Sequence, residues 1–252
     1  MQLTSQTTER GVTERDFTVD GPREPVPGVL WTPDEPAATG ARPLVLLGHG
    51  GTQHKRVPNI TALARRLVRH HGIAAAAIDL PHHGDRMSEE ERSLSREDRR
   101  RRMRERMRAE QGHQPASQRA VDDWTATLDA LQAQDGVGAG PVGYWGVSMG
   151  TRYGVSLVAA EPRIRAAVLG LFGWAPGPRL NGYDEVAREI TVPLLFLVQW
   201  DDEVAGREYA LALFDLFGST TKTLHANPGR HVEIPPAEYQ ASEAFLALHL
   251  LS

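Results

Sequence analysis

Ser148 lies at the centre of the segment GVSMG, with a glycine two residues away on either side. A serine hydroxyl is a weak nucleophile at neutral pH, and it becomes reactive when a base, a partner for that base and donors for an oxyanion lie nearby. The G-x-S-x-G spacing suits this chemistry because small flanking residues allow a sharp turn that exposes the hydroxyl. The pattern also occurs in ordinary turns, so the other groups must be found elsewhere in the chain.

A glycine-rich segment, LLGHGG at residues 46–51, offers hydrogen-bond donors for such an oxyanion. It follows an apolar run, and its glycines would let a backbone N–H approach a substrate oxygen closely. We expect the backbone amides of Gly51 and of Met149, the residue after the serine, to be the two donors. His49 lies inside this turn, and we interpret it as a structural residue that bonds backbone groups.

The acid and the base are expected in the second half of the chain. The segment LLFLVQWDDEV ends an apolar run with two consecutive carboxylates, Asp201 and Asp202. They would lie at the edge where open α/β sheets place their sites. The later segment TKTLHANPGRHVEIPP contains His225 within a predicted strand and His231 in the loop before the last helix. A loop histidine can reach both a serine and a carboxylate, so His231 is the predicted base.

Short apolar runs of strand length alternate with segments of helical spacing along the chain. The predicted strands cover residues 43–50, 73–81, 141–148, 164–173 and 193–202. The predicted helices cover residues 57–71, 117–134, 149–160, 206–217 and 236–250. This alternation predicts parallel neighbours in a layered α/β domain, and the nearly continuous apolar runs are typical of strands covered on both faces. The proline-rich first forty residues predict an antiparallel edge, and no repeat or linker divides residues 1–252, so one domain is expected.

Residues 86–119 interrupt this alternation with many arginines and glutamates and few large apolar residues. One interpretation is a solvated helix stabilised by Glu–Arg pairs three and four residues apart. The other is a cap inserted over the strand ends, in which arginines meet an anionic substrate or a partner, and the segment could also provide a homodimer contact. Met87, Leu94, Met103 and Met107 would then form its contact stripe.

Composition excludes several classes of protein. The chain has 252 residues, a formal net charge of -4 at pH 7 and no cysteine. The absence of cysteine excludes disulfides, thiolate metal sites and a cysteine nucleophile, and the net charge argues against binding nucleic acid through the overall field. No apolar segment has the length of a signal peptide or of a bilayer span. We therefore expect a soluble, cytoplasmic protein that binds neither nucleic acid nor a membrane.

The order serine, carboxylate, histidine along the chain resembles that of the α/β-hydrolase superfamily. The chain is similar to compact esterases and dienelactone-hydrolase-like proteins from about residue 26 to the end, through the motifs GHGG, DLPHHGDR, GVSMG, WDDEV and NPGRH. The resemblance implies a mostly parallel central sheet with helices on both faces, an antiparallel N-terminal edge and a short charged helical insertion at residues 86–119. It also implies Asp202 rather than Asp201 as the acid, because the family's acid is commonly followed by a small motif ending in valine.

The resemblance further implies an enzyme that needs no cofactor and no metal. The segment DLPHHGDR would place Asp79, His82 and His83 beside the site as supports. A metal site formed by His82, His83 and Asp85 is the less favoured alternative. A dienelactone hydrolase proper resembles an enzyme with a cysteine nucleophile. This chain has no cysteine, which argues against that specific activity. The charged insertion weighs against long-chain lipids as substrates.

We expect the chain to hydrolyse small-molecule carboxylic esters with small or medium acyl groups, through an acyl-enzyme on Ser148. Three aromatic residues at predicted strand ends would either line an apolar substrate pocket or belong to the core, namely Phe172, Trp174 and Trp200. An acyltransferase, a peptidase or an amidase could use the same groups, because all of them pass through an acyl-enzyme. A non-catalytic binding module on the same fold is the third hypothesis.

Overall fold

Nine strands form one sheet in the computed structural model, which describes residues 1–35, 41–109, 114–175 and 182–252. The strands are β1 (Gln2–Glu9), β2 (Val12–Asp20), β3 (Pro25–Pro33), β4 (Leu44–Gly48), β5 (Ala74–Ile78), β6 (Val142–Gly146), β7 (Ile164–Gly170), β8 (Leu194–Gln199) and β9 (Lys222–Asn227). The helices are α1 (Pro58–His71), α2 (Glu89–Ser93), α3 (Arg96–Ala109), α4 (Gln114–Gln132), α5 (Met149–Ala160), α6 (Tyr183–Arg188), α7 (Arg207–Leu216) and α8 (Pro236–Leu250). No helix within the described ranges is long and apolar enough to cross a bilayer.

The sheet is mostly parallel and has an antiparallel N-terminal edge, which confirms the predicted fold class. The strand order is β1-β2-β3-β5-β4-β6-β7-β8-β9. The pairs β1–β2, β2–β3 and β3–β5 are antiparallel. The pairs β5–β4, β4–β6, β6–β7, β7–β8 and β8–β9 are parallel. Alternate residues of β4 enter two apolar clusters on opposite faces, Leu44 and Leu46 in one and Val45 and Leu47 in the other. Helices α4, α5 and α7 pack on the first face, and α1 and α8 pack on the second.

Strand β5 shows how the sheet overrides a local preference for helix. Its sequence is AAAAI, and all five residues are buried. Alanine favours helices, but β5 lies between β3 and β4 and pairs with both, so tertiary contacts decide its conformation. Ala75 is paired with Trp31 of β3, and both residues belong to the same apolar cluster. The small residue thus lies beside a large one in the buried layer.

The charged insertion is helical, as predicted, but it ends earlier than expected. A 3-10 turn at Gly84–Arg86 leads into α2, which begins with a capping box between Ser88 and Glu91. Helix α3 follows, and residues 110–113 lie outside the described residues. Helix α4 starts at residue 114, so the end of the predicted insertion belongs to a helix that packs on the sheet.

A buried ion pair joins the loops that follow β4 and β5. Nζ of Lys55 lies 2.6 Å from Oδ2 of Asp79, and the two side chains are 7% and 0% exposed. Asp79 also accepts hydrogen bonds from the backbone N–H groups of Lys55 at 2.8 Å and Asp85 at 2.9 Å. Burial opposes ionisation of Asp79, but the hydrogen bonds and the charge of Lys55 hold its pKa below its ordinary value. The loop that carries DLPHHGDR is therefore fixed against the turn after β4.

Replacing Asp79 by asparagine removes the buried partner of the Lys55 charge. We expect Asp79→Asn to lower the free energy of unfolding by about 3 to 5 kcal/mol at pH 7, measured by urea denaturation. Because the pKa of Asp79 is lowered in the folded protein, its contribution is complete above the unfolded value of about 4 and is lost as the pH falls through the folded value. The difference between the wild type and the variant should therefore narrow below about pH 4.

Asp85→Asn is the matched control for this experiment. Asp85 contacts the same ammonium group, but its side chain is 72% exposed. Its loss should cost less than about 1 kcal/mol, because solvent screens an exposed pair. Equal losses in the two variants would contradict the special role of the buried pair.

Candidate active site

Ser148 lies at a sharp turn between the end of β6 and the first residue of α5. Its backbone has φ 59° and ψ -116°, a combination that residues other than glycine rarely adopt and that costs roughly 1 to 3 kcal/mol. The backbone N–H of Ser148 donates to the carbonyl oxygen of Gly170 at 2.9 Å, which holds the turn against β7. The residue is only partly buried. This turn presents the hydroxyl at the carboxyl edge of the sheet.

Close packing requires the two glycines that flank the serine. A Cβ at position 146 would lie 2.7 Å from Oη of Tyr144, and a Cβ at position 150 would lie 2.5 Å from the carbonyl oxygen of Gly48. Both separations are shorter than a side chain tolerates, so the G-x-S-x-G spacing has a steric cause here. Oη of Tyr144 also donates to the carbonyl oxygen of Gly150 at 2.7 Å and so fixes the first turn of α5.

Ser148, His231 and Asp202 form a connected chain of hydrogen bonds. Nε2 of His231 lies 2.9 Å from Oγ of Ser148, and Nδ1 lies 2.8 Å from Oδ2 of Asp202. Since an ionised carboxylate can only accept, Nδ1 carries the proton, and Nε2 of the neutral ring can accept the serine proton. The side chains of His231 and Asp202 are 13% and 3% exposed. The fold thus brings together the three residues that the sequence predicts as nucleophile, base and acid.

The backbone holds the carboxylate of Asp202 in place. Its Oδ1 accepts hydrogen bonds from the N–H groups of Val204 and Ala205, both at 2.8 Å. Burial opposes ionisation, but these hydrogen bonds and the one from His231 hold the pKa of Asp202 below its ordinary value. Asp201 is exposed, and its Oδ2 accepts the N–H of Gly229 at 3.2 Å. Of the two carboxylates, Asp202 is therefore the one that contacts the imidazole.

The other two histidines considered have different partners. Nδ1 of His225, on β9, lies 2.8 Å from Oε2 of Glu238 on α8. His49 is buried, its Nδ1 donates to the carbonyl oxygen of Gly50 at 2.9 Å, and its Nε2 accepts the N–H of Leu80 at 3.2 Å. Burial lowers the pKa of His49 to about 3, so the ring is neutral. His49 makes the backbone contacts expected of a structural residue.

The backbone amides of Gly51 and Met149 lie beside the serine. A Cβ at Gly51 would lie 4.0 Å from Cβ of Met149, so the turn after β4 and the start of α5 are adjacent. Neither amide donates a hydrogen bond to any of the residues that the structure describes. The N–H of Gly50, by contrast, donates to Oε1 of Gln53 at 3.0 Å. Both amides proposed as oxyanion donors are thus available to a ligand.

The three aromatic residues predicted for a substrate pocket have separate environments. Phe172 packs against Tyr183 with ring centroids 5.7 Å apart, and Trp174 packs against the core. Trp200 is 46% exposed and lies against the guanidinium group of Arg207, 4.3 Å from the ring centroid. None of the three lines either of the two cavities beside the turn after β4. Their role in a pocket stays a prediction.

A cavity of about 310 Å³ lies between the turn after β4 and the charged insertion, and we call it the cap cavity. Its walls are formed by Thr52, Gln53, His54, His82, His83, Gly84, Met87, Glu91, Arg92, Leu94, Arg99, Arg102 and Met103. Three of the four residues predicted as a contact stripe, Met87, Leu94 and Met103, are among them. The side chain of Met107 lies outside the described residues. Residues of the insertion thus form one wall of this cavity, and its role as a cap stays a prediction.

The alternative metal site of His82, His83 and Asp85 does not assemble. Among the described residues, one group of three has potential ligand atoms within 4.8 Å of one another, and it consists of His70, His71 and Glu243. It lies where the end of α1 meets α8, and both oxygens of its carboxylate accept hydrogen bonds from Arg66. The sequence did not single out this group, because two adjacent histidines and a distant glutamate form no motif.

The chain is similar to solved structures of esterases and other hydrolases. A cold-adapted esterase from an Arctic intertidal metagenomic library is 36% identical, with a TM-score of 0.82 over 99% of this chain and 100% of that one. An acetyl xylan esterase from Paenibacillus sp. R4 is 17% identical, with a TM-score of 0.74 over 99% and 88% of the two chains. A dienelactone hydrolase from Anabaena variabilis is 18% identical, with a TM-score of 0.64 over 96% and 98%. The last two similarities concern the fold. No protein-family model and no curated protein matches the chain.

The strained backbone of Ser148 predicts an unusual order of stabilities. Glycine adopts this conformation without strain, whereas alanine keeps the strain of serine. We expect Ser148→Gly to be more stable than Ser148→Ala by about 1 kcal/mol, after allowance for the entropy that glycine loses on folding. Urea denaturation at pH 7 measures the difference.

Ser156 supplies the matched control for this comparison, because it lies within α5 at a helical position. There the order should reverse, with alanine more stable than glycine by about 0.5 to 1 kcal/mol. If Ser148→Ala is at least as stable as Ser148→Gly, the backbone at position 148 is not strained.

Proposed function

This chain belongs to the α/β-hydrolase superfamily and is a hydrolase, and from that premise we propose that it cleaves carboxylic esters through an acyl-enzyme formed on Ser148. The observation that carries the proposal is the hydrogen-bonded chain from Ser148 through His231 to Asp202. Its order along the sequence and its geometry are those that a serine hydrolase needs. Small or medium acyl groups fit best, because the cap is charged and does not offer the apolar surface of a lipase lid.

The first step is attack of Oγ of Ser148 on the ester carbonyl carbon. Nε2 of His231, 2.9 Å away, accepts the hydroxyl proton as the bond forms. The imidazole becomes positively charged, and the ionised carboxylate of Asp202 stabilises that charge and holds the ring in the required tautomer. The pKa of Asp202 is held below its ordinary value, which favours the ionised carboxylate that this role needs.

The carbonyl oxygen acquires negative charge in this step. The free backbone amides of Gly51 and Met149 would donate hydrogen bonds to it. The protonated His231 then gives its proton to the leaving alkoxide, and the acyl group remains on Ser148. Water attacks the acyl-enzyme with His231 again as the base, and the carboxylic acid product leaves with Ser148 regenerated.

A cytoplasmic location and homodimer formation through the cap stay predictions from the sequence.

Removing the nucleophile should abolish turnover. We expect Ser148→Ala to reduce kcat/KM for 4-nitrophenyl acetate by at least about 10⁴-fold, because no acyl-enzyme can form. Release of 4-nitrophenol measures the rate, and circular dichroism with urea denaturation shows that the variant is folded. Ser156→Ala, in the same helix, is the control and should retain activity. Wild-type turnover by folded Ser148→Ala would rule out the proposal.

The two adjacent carboxylates allow a sharp test of the acid. Asp202→Asn should lower kcat by about 10³- to 10⁴-fold, because an amide neither fixes the tautomer of His231 nor stabilises its charged form. Asp201→Asn should change kcat by less than about three-fold, since Asp201 is exposed and does not contact the imidazole. Steady-state rates with the same ester measure both variants. If Asp201→Asn lowers kcat more than Asp202→Asn does, the acid is Asp201 and the assignment to Asp202 is wrong.

A further inference from the structure

We infer that the cap cavity takes the negatively charged part of an ester substrate and that Arg99 of the insertion is its main binding residue. The inference rests on the proposed function, since it assigns a substrate class to the same site. That class is an ester whose acyl or alcohol part ends in a carboxylate. The arginine-rich insertion, which ester hydrolysis alone does not require, would then determine specificity.

The cap cavity begins one residue away from a proposed oxyanion donor. Thr52 and Gln53 line it, and Thr52 directly follows Gly51 in the chain. Gln53 also accepts the N–H of Gly50 at 3.0 Å, so this wall of the cavity belongs to the same turn as the Gly51 amide. An ester carbonyl bound at Gly51 can therefore extend one of its two parts into the cavity.

The size of the cavity suits a short chain with a terminal charge. Its volume of about 310 Å³ is at the lower end of the range of small-molecule sites. Met87, Leu94 and Met103 supply apolar surface for methylene groups. Charged side chains from the insertion complete the wall. A chain of a few carbons ending in a carboxylate matches this combination.

The formal charge of the wall is positive. Three arginines and one glutamate line the cavity, which leaves a net charge of +2 with the histidines neutral. Arg102 is paired with Glu90 at 2.8 Å, so its charge is partly compensated. The positive charge that is left for a ligand comes from Arg92 and Arg99.

Arg99 is half-buried and has no carboxylate partner among the described residues. Its Nη1 donates to the carbonyl oxygens of Leu94 at 2.7 Å and Arg92 at 3.4 Å, which holds the guanidinium group in place. Arg101, on the same helix, is by contrast paired with Asp98 at 2.8 Å. A guanidinium group that is fixed by backbone and faces a cavity without a counterion is suited to bind a carboxylate.

A second polar group of the wall also lacks a partner. His83 is buried, and its Nδ1 donates to the carbonyl oxygen of Pro81 at 2.8 Å. Its Nε2 is buried without a hydrogen-bond partner in the described part of the chain. Buried polar side-chain atoms without a hydrogen-bond partner are uncommon in folded proteins. Because Nδ1 donates to Pro81, Nε2 of the neutral ring can only accept, so it would take a hydrogen bond from a ligand donor, and the carboxylate itself would be bound by arginine.

The test measures hydrolysis of matched charged and neutral esters by the 252-residue chain. Monomethyl adipate and methyl hexanoate differ by a carboxylate at the end of the acyl part. The pair of 4-acetoxybenzoate and 4-acetoxybenzamide places the carboxylate in the alcohol part. We expect kcat/KM for the charged member of one pair to exceed that of the neutral member by about ten-fold or more at low ionic strength. The preference should fall as salt is added.

Substitutions on α3 identify the residue that reads the charge. Arg99→Gln should lower kcat/KM for the preferred charged ester about ten-fold and change that of the neutral ester by less than about two-fold. Arg99→Lys should restore part of the preference, because it keeps the charge. Arg104→Gln is the matched control, since Arg104 is exposed on the same helix and does not line the cavity.

The outcomes separate this inference from the proposed function. Hydrolysis of neutral esters without a preference for charged ones, or equal effects of Arg99→Gln and Arg104→Gln, would overturn the inference and leave ester hydrolysis intact. If no ester is cleaved, the proposed function fails, and calorimetric titration with adipate then decides the inference. Binding to the wild type that is lost in Arg99→Gln supports the site, and absence of binding to the wild type refutes it.

Discussion

Helix α5 begins so close to the end of strand β4 that a Cβ at position 150 would lie 2.5 Å from the carbonyl oxygen of Gly48. This approach sets the distance between the serine at the start of α5 and the turn that carries Gly51. Strands β4 and β6 are parallel neighbours, so both of these loops arrive at the same edge of the sheet. A larger residue at position 150 would push the turn that carries Gly51, one of the two proposed oxyanion donors, away from the nucleophile. The rest of the site depends on this contact between two backbones.

The proposed acid and base reach the same edge from the adjoining strands. Asp202 follows the end of β8 and His231 follows the end of β9, and these strands are parallel neighbours in the sheet. Two backbone amides orient the carboxylate, and the carboxylate in turn orients the imidazole. The geometry around Ser148 is therefore set mainly by main-chain atoms. The buried Lys55–Asp79 ion pair fixes the loop that leads into the insertion. One wall of the cap cavity therefore also depends on a buried contact.

The order of strands and helices could be predicted from the sequence. Buried parallel strands appear as short apolar runs, and the helices between them have apolar residues three or four positions apart. The contact between Ser148 and His231 could be anticipated as well, since the serine lies in a G-x-S-x-G segment and the histidine in the loop before the last helix. The choice of Asp202 over Asp201 needed the family resemblance, because adjacent carboxylates look alike until burial and backbone hydrogen bonds separate them. Lys55 could not be recognised, since its burial depends on contact with a residue 24 positions away. The cavity beside the insertion could not be recognised either, because it forms only where the insertion meets the turn after β4 in the folded chain.

The central claim is that His231 makes Ser148 a nucleophile. Peptide mapping by mass spectrometry after reaction with a fluorophosphonate tests it most directly, in the wild type and in His231→Gln. We predict a single adduct on Ser148 in the wild type and labelling at least about 10³-fold slower in His231→Gln, because the base that accepts the serine proton is gone. An adduct on another residue, or equally fast labelling of the two proteins, would contradict the claim.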